Sequence, residues 1–230
     1  MSKLEVIVLN EEDARVAEAS GADRLELVSA IHTGGLTPDY KVIEKVLKAV
    51  TIPVQLMIRL HSSSFRYSMN EVKIMADHVR AIKEIGGEGI VFGALTHDGK
   101  LDVNALKEIA QAAKGQSITF HRAIDEALDP VALCKELHRS GLAVERILTS
   151  GGSPVVSEGI GTITKMMEVE KAGGPTIMPG SGLTVDNISE IHKVLHAREY
   201  HVGSGVRHDG RYDLGIDPGK VTEFKKVITY

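Results

Sequence analysis

The chain has one cysteine, Cys134, in 230 residues. No intrachain disulfide can form, and one thiol cannot build a multi-cysteine metal site. No run of Lys or Arg exceeds two residues and the net charge is −4, so no nucleic-acid partner is expected. No apolar run reaches transmembrane length, and no basic-then-apolar leader follows Met1. A soluble, cytoplasmic protein without a membrane partner is expected. No Gly-x-Gly-x-x-Gly follows the first apolar run, which weakens a dinucleotide-binding reading. No linker, low-complexity stretch or charge block divides the chain.

What is present is an alternation. Short apolar runs occur at "KLEVIVL" (3–9), "RLELV" (24–28), "PVQLMIR" (53–59), "GIVFG" (89–93), "SITFH" (117–121), "RILTS" (146–150), "TIMPG" (176–180) and "EYHVG" (199–203). Their Val, Ile, Leu and Phe content suits strands covered on both faces. Helix signals lie between them. Asn10 caps 11–19, Thr37-Pro38 opens 38–49, and Ser68 with Glu71 forms a capping box for 69–85. Asp102 opens 103–114, and Asp129-Pro130 opens 130–140, which Gly141 ends. Further helices are expected over 157–172, over 185–196 from Thr184 or Asp186, and from Asp217-Pro218 to about 228. Eight strand–helix units predict a single-domain α/β protein over 1–230, a (β/α)₈ TIM barrel. A doubly wound open sheet is the runner-up.

In such a barrel, function sits at the carboxyl ends of the strands. The loops "PGSGLT" and "VGSGVR" place Gly180, Ser181, Gly182, Gly203 and Ser204 after consecutive strands. Glycine lets backbone N–H groups approach an anion, so a phosphate site is expected there; the plainer reading is tight strand–helix turns. Arg24 and Glu26, two apart, share one strand face. With Arg59 and Arg122 they either clamp an acidic substrate or tie strands together as an ion-pair lattice. His121 is a candidate general acid or base, with Glu26 or Asp125 as orienting partner, or else a neutral core histidine.

Other candidates are weaker. His192 and His196 share a helix face at i, i+4, a spacing that suits zinc, but no third ligand is near and the helix lies outside the barrel. No metal site is assigned. "RHDGRYD" (207–213) reads as a polar turn. Cys134, Met57 and Met178 read as core residues.

The stretches "GADRLELVSAIHTGGLTPDY", "IPVQLMIR", "SFRYSMNEVKIMADH", "GIVFGALTHDGKLD", "TFHRAID", "RILTSGG" and "GPTIMPGSGLTVDNI" together resemble the CutC family. The resemblance implies a TIM barrel, a cytoplasmic protein linked to copper homeostasis, and a homo-oligomer, dimer or tetramer. Copper as a cofactor is implied by this resemblance alone, and the residues themselves name none. The sequence departs from the family where cysteine is often found, with Ile7 in the first strand and Val28 after the second. The usual "MIRPR-GG-DF-Y" reads "MIRLHSSSFRY"; Arg59, Phe65 and Tyr67 match. Arg24, Glu26, Arg59, His121, Arg122 and Asp125 also match. Cu(I) prefers thiolate and thioether ligands, so direct copper binding is doubtful in this chain.

Two functions follow: a copper-homeostasis protein, or an enzyme of isomerase, lyase or hydrolase type on a small phosphorylated or carboxylated metabolite. In the second, the arginines and glycine loops hold charge and His121 moves a proton. An interaction scaffold is the third reading.

Overall fold

The computed structural model describes residues 1–229. Strands β1 (Lys3–Val8), β2 (Arg24–Leu27), β3 (Val54–Met57), β4 (Gly89–Phe92), β5 (Ser117–Phe120), β6 (Val144–Thr149), β7 (Thr176–Pro179) and β8 (Glu199–Val202) form one sheet. All its ladders are parallel, in the order β7-β6-β5-β4-β3-β2-β1-β8. A parallel bridge between Gly180 and His201 joins the two ends. The sheet is closed, so the fold is the (β/α)₈ barrel and not an open doubly wound sheet.

Each strand is followed by a helix: α1 (Glu11–Ala19), α2 (Tyr40–Ala49), α3 (Met69–Glu84), α4 (Val103–Ala112), α5 (Pro130–Arg139), α6 (Val156–Lys171), α7 (Ile188–Leu195) and α8 (Pro218–Thr229). Their starts follow side-chain chemistry. Asn10 accepts from the Asp13 N–H, Asp102 from Ala105, and Asp129 from Val131 and Ala132. Ser68 and Glu71 satisfy each other's backbone as a capping box. No described helix is long and apolar enough to cross a membrane.

Two helix starts differ from expectation. α2 begins at Tyr40, capped by Asp39, whose carboxylate accepts from the Lys41 N–H at 2.8 Å. Thr37 instead joins loops: its hydroxyl accepts the Arg59 N–H at 2.8 Å and donates to the Arg59 carbonyl at 3.1 Å. α7 begins at Ile188, because the Asn187 side chain accepts the Thr184 N–H at 2.9 Å and holds 184–187 as a turn.

Alternation along the strands separates two interiors. Leu4, Val6 and Val8 point outward into the large aliphatic layer between barrel and helices. Ile7, Val28, Met57 and Val91 point inward and form a small cluster in the lumen. Cys134 lies in the outer layer, fully buried on α5.

Candidate active site

The lumen holds two layers of polar residues. The lower one is an ion-pair lattice. Arg24 donates to Glu5 through Nε and to Glu199 through one terminal nitrogen. Arg146 donates to Glu199 at 3.2 Å, to the Thr119 hydroxyl at 3.2 Å and to Glu145 at 2.6 Å. Arg24, Arg146, Glu5 and Glu199 are all buried. Each guanidinium faces two carboxylates, which a buried charge requires. Of the two readings of Arg24, the contacts are those of the ion-pair lattice: its charge is paired within the barrel, and it does not line the mouth cavity.

Above the lattice opens a cavity of about 260 Å³. Ile7, Val28, Met57, Leu148 and Phe65 supply apolar walls, and Glu26, His201 and His121 supply polar atoms. Ile7 and Val28, where the family resemblance leads to cysteine, both face this cavity.

Glu26 and His201 connect cavity and lattice. His201 Nδ1 lies 2.7 Å from Glu5 Oε1, and Nε2 lies 3.7 Å from Glu26 Oε2. The imidazole is held between two carboxylates, which raise its pKa against the effect of burial. Arg24 and His201 hold the Glu5 carboxyl well below its usual range although burial opposes them. Glu26 differs. Burial pushes its pKa up to about 7, and the charge of Glu5 adds to the rise while His201 opposes it. Its Oε1 is buried without a hydrogen-bond partner among the described residues. A carboxyl that titrates near neutrality on a cavity floor is suited to accept and return a proton.

His121 reaches the cavity from β5. Its Nδ1 accepts the Ala123 N–H at 3.1 Å, so the proton of the neutral ring resides on Nε2. That Nε2 is buried without a partner among the described residues. Burial first, then the charge of Arg59, pushes the pKa down to about 3. The ring is neutral at physiological pH and offers an N–H. Gly93 makes room for it: a Cβ there would lie 2.5 Å from His121 Nδ1.

The remaining candidates divide. Arg122, Ser181, Gly182, Gly203 and Ser204 line the cavity. The backbone N–H groups of Gly182 and Leu183 have no backbone acceptor among the described residues, whereas the Ser204 N–H is taken by the Tyr212 hydroxyl. Gly180 does not line the cavity. Its N–H donates to the Thr149 carbonyl at 3.0 Å, and a Cβ would lie 3.0 Å from His201 Cβ. Gly180 is thus the space that lets His201 turn inward where the barrel closes.

Asp125 does not orient His121 either. It accepts from Arg122 Nε at 2.8 Å, the Thr149 hydroxyl at 2.5 Å, the Ser150 N–H at 3.0 Å and the Gly152 N–H at 3.1 Å. Those bonds fix the exit of β6 and aim Arg122. Arg59 lies behind the wall. It stacks over Phe65 at 4.3 Å and donates to the carbonyls of Gly34 and Gly35 at 3.3 and 3.4 Å.

Sequence reasoning missed Glu5, His201, Tyr212 and Arg207. A charge within a strand covered on both faces marks a lumen residue, and Glu5 and His201 carry that signal as Arg24 and Glu26 do. The polar turn at 207–213 delivers Tyr212 to the cavity. Fully buried Arg207 anchors it, with Asp13 on α1 at 2.5 Å and the Tyr212 ring at 5.0 Å.

Of the metal-type groups, Glu5, Glu26 and His201 bring one ligand atom each within 4.8 Å of one another. His192 and His196 gain no third ligand among the described residues; His192 Nδ1 instead meets the Tyr200 hydroxyl at 2.8 Å.

The family model of the CutC family matches residues 2–206. A human protein named "Copper homeostasis protein cutC homolog" is 38% identical over 206 residues, 90% of this chain and 74% of that protein. A CutC family protein of Histophilus somni is 36% identical over 201 residues, 87% of this chain and 82% of that one. A CutC crystal structure from Streptococcus agalactiae superposes with a TM-score of 0.81 at 28% identity, covering 88% of this chain and 98% of the other. Phosphoribosylanthranilate isomerase of Thermotoga maritima, at 11% identity and a TM-score of 0.65, shares the fold.

Proposed function

The chain belongs to the CutC family, and from that premise we propose that its mouth cavity binds a small phosphorylated or carboxylated metabolite on which Glu26 moves a proton. One observation carries this reading. Glu26 is 2% exposed, has an unpartnered oxygen and borders a cavity. A buried carboxyl costs stability unless it is paired, and its retention at a cavity floor supports a chemical role. The N–H groups of Gly182 and Leu183, with the Arg122 guanidinium, supply donors for the anion at the rim. Arg59 and Asp125 act as positioning residues, through the β2 loop and Arg122.

The role that the human relative's name states, copper homeostasis, is part of the proposal for this chain. The residues present do not fit a thiolate copper site. Ile7 and Val28 carry no sulfur, and Met57 offers the one cavity thioether. Cys134 lies outside the barrel, its thiol pushed up to about 12 by burial, so it stays protonated and is a poor ligand. A cytoplasmic homo-oligomer, dimer or tetramer, is the assembly this reading expects; light scattering reads its size.

The test is a thermal-shift screen with inorganic phosphate, sugar phosphates and small dicarboxylates. A ligand at a hundredfold its Kd stabilises by about 2.7 kcal/mol. The expected result is a shift with a phosphorylated compound that Arg122→Gln weakens. No shift with any of them defeats the reading. In parallel, anaerobic Cu(I) titration against a chelator is expected to show no binding beyond that of an unrelated protein with one buried thiol.

A further inference from the structure

The cavity holds two unpartnered polar atoms of complementary kind, and they come from strands three apart in the barrel. Glu26 Oε1, on β2, is an acceptor, and His121 Nε2, at the exit of β5, is a donor. We infer that the reaction is proton abstraction next to a carbonyl, with Glu26 as base and the neutral His121 N–H as hydrogen-bond donor to the carbonyl oxygen, on a small phosphorylated hydroxyketone or hydroxyaldehyde. The inference rests on the reading of the cavity given above and narrows its chemistry.

The geometry decides between reaction classes. His121 cannot lend a proton to a leaving group. Its Nδ1 is occupied by the Ala123 N–H, and burial, with the charge of Arg59 added, disfavours an imidazolium. The Nε2–H instead stabilises an oxyanion without giving up its proton, the role of a neutral imidazole electrophile. Among the described residues that line the cavity none is a lysine, the residue a Schiff base would need. Its cavity hydroxyls, Ser181, Ser204 and Tyr212, have no base attached, and the Ser181 hydroxyl donates to the Pro154 carbonyl at 2.9 Å. That leaves no activated nucleophile among these hydroxyls and no proton for a leaving group from His121, which disfavours covalent hydrolysis and leaves Glu26 to do the acid–base work. The side chains of Ile7, Val28, Met57 and Leu148 give the cavity apolar walls.

The step balances without a redox partner. The Glu26 carboxylate takes the proton from the carbon beside the carbonyl. The C–H electron pair becomes the carbon–carbon double bond, and the carbonyl π pair moves to oxygen. His121 donates to that oxygen. Glu26 then returns the proton to the neighbouring carbon while the hydroxyl proton passes to the first oxygen, which completes a 1,2-hydrogen shift. His201, bonded to Glu5, positions Glu26 from below.

The test uses dihydroxyacetone phosphate, glyceraldehyde 3-phosphate and ribulose 5-phosphate in D2O. Thermal shift reads binding, and proton NMR reads loss of the α C–H signal. The expected result is exchange at least about a hundredfold over buffer with one probe, lost in Glu26→Gln. His121→Leu should lower it at least about tenfold, with partial recovery in His121→Gln, whose amide can still donate. Circular dichroism confirms that each variant folds. A probe that binds without exchange, or exchange unchanged in Glu26→Gln, overturns the enolisation and leaves the anion cavity standing. If none of the three probes shifts the melting temperature, the enolisation falls, and the anion reading falls with it only when inorganic phosphate and the dicarboxylates give no shift either.

Discussion

The lower and upper layers of the lumen use the same residue types to opposite effect. Below, Arg24 and Arg146 face Glu5 and Glu199, and every guanidinium has carboxylate partners. Above, Glu26 and His121 each keep a buried atom with none. The two layers are joined within β2, where Arg24 and Glu26 stand two residues apart on one face. Burial alone therefore does not mark a site. In this barrel the full pairing of the lower layer reads as architecture, and the unmet pairing of the upper layer reads as chemistry.

The sharpest way to break this contrast is Glu26→Gln. Activity should fall by about 10² to 10⁴, the usual worth of a general base, while the fold gains stability. The folded carboxyl has its pKa raised from 4.5 to about 7. Between those values the folded state holds the proton and the unfolded chain releases it, so stability from this group falls as pH rises. The variant's advantage should reach up to about 3 kcal/mol at pH 8 and fade toward pH 5. Urea melts at both pH values measure it; a variant less stable than the parent at pH 8 would erase the distinction between layers.

Arg24→Met attacks the other side. It leaves Glu5 and Glu199 buried and short of a partner, a change that costs roughly 3–5 kcal/mol. Chemical denaturation should show this loss, with cavity binding altered only as far as folding is.

A third effect sits on the acid side. The unfolded His121 ring takes a proton near 6.5, while the folded ring resists until about 3. Stability from this group is complete above 6.5 and is lost as pH falls, by about 2 kcal/mol at pH 5. Because Glu5 loses stability in acid as well, the diagnostic is the difference between parent and His121→Gln, which should shrink as pH falls from 7 to 5.

Arg122→Gln should do least to the fold, within about 1 kcal/mol, because Asp125 keeps its bonds to Thr149, Ser150 and Gly152. Calorimetry with a phosphorylated ligand should show affinity reduced about tenfold, the worth of one charge-assisted hydrogen bond.

Much of this was legible one residue at a time. The eight apolar runs and the cap residues Asn10, Ser68, Asp102 and Asp129 marked strands and helix starts because the signals are local. Glu26 and His121 could be nominated because charge or imidazole at a strand exit is unusual. Their roles could not. His121 read as the proton carrier with Glu26 or Asp125 to orient it, yet His201 sits at Glu26 and Asp125 is taken up by the β6 loop. Gly180 read as an anion contact, while in the barrel its N–H is taken by the Thr149 carbonyl and its missing Cβ leaves room for a side chain 21 residues on.

The sequence by itself determined the strand–helix period, the polarity of the lumen and the lack of thiols at its mouth. Composition and spacing act along the chain, and these properties follow from them. Only the closed barrel decided which charges meet. Glu5 bonds His201 across 196 positions, and Arg24 meets Glu199 across 175. A pKa is set by what lies within a few ångströms in a low-dielectric interior. Whether Glu26 is a strut or a base was therefore a property of β1, β2 and β8 brought together, and not of its place in the chain.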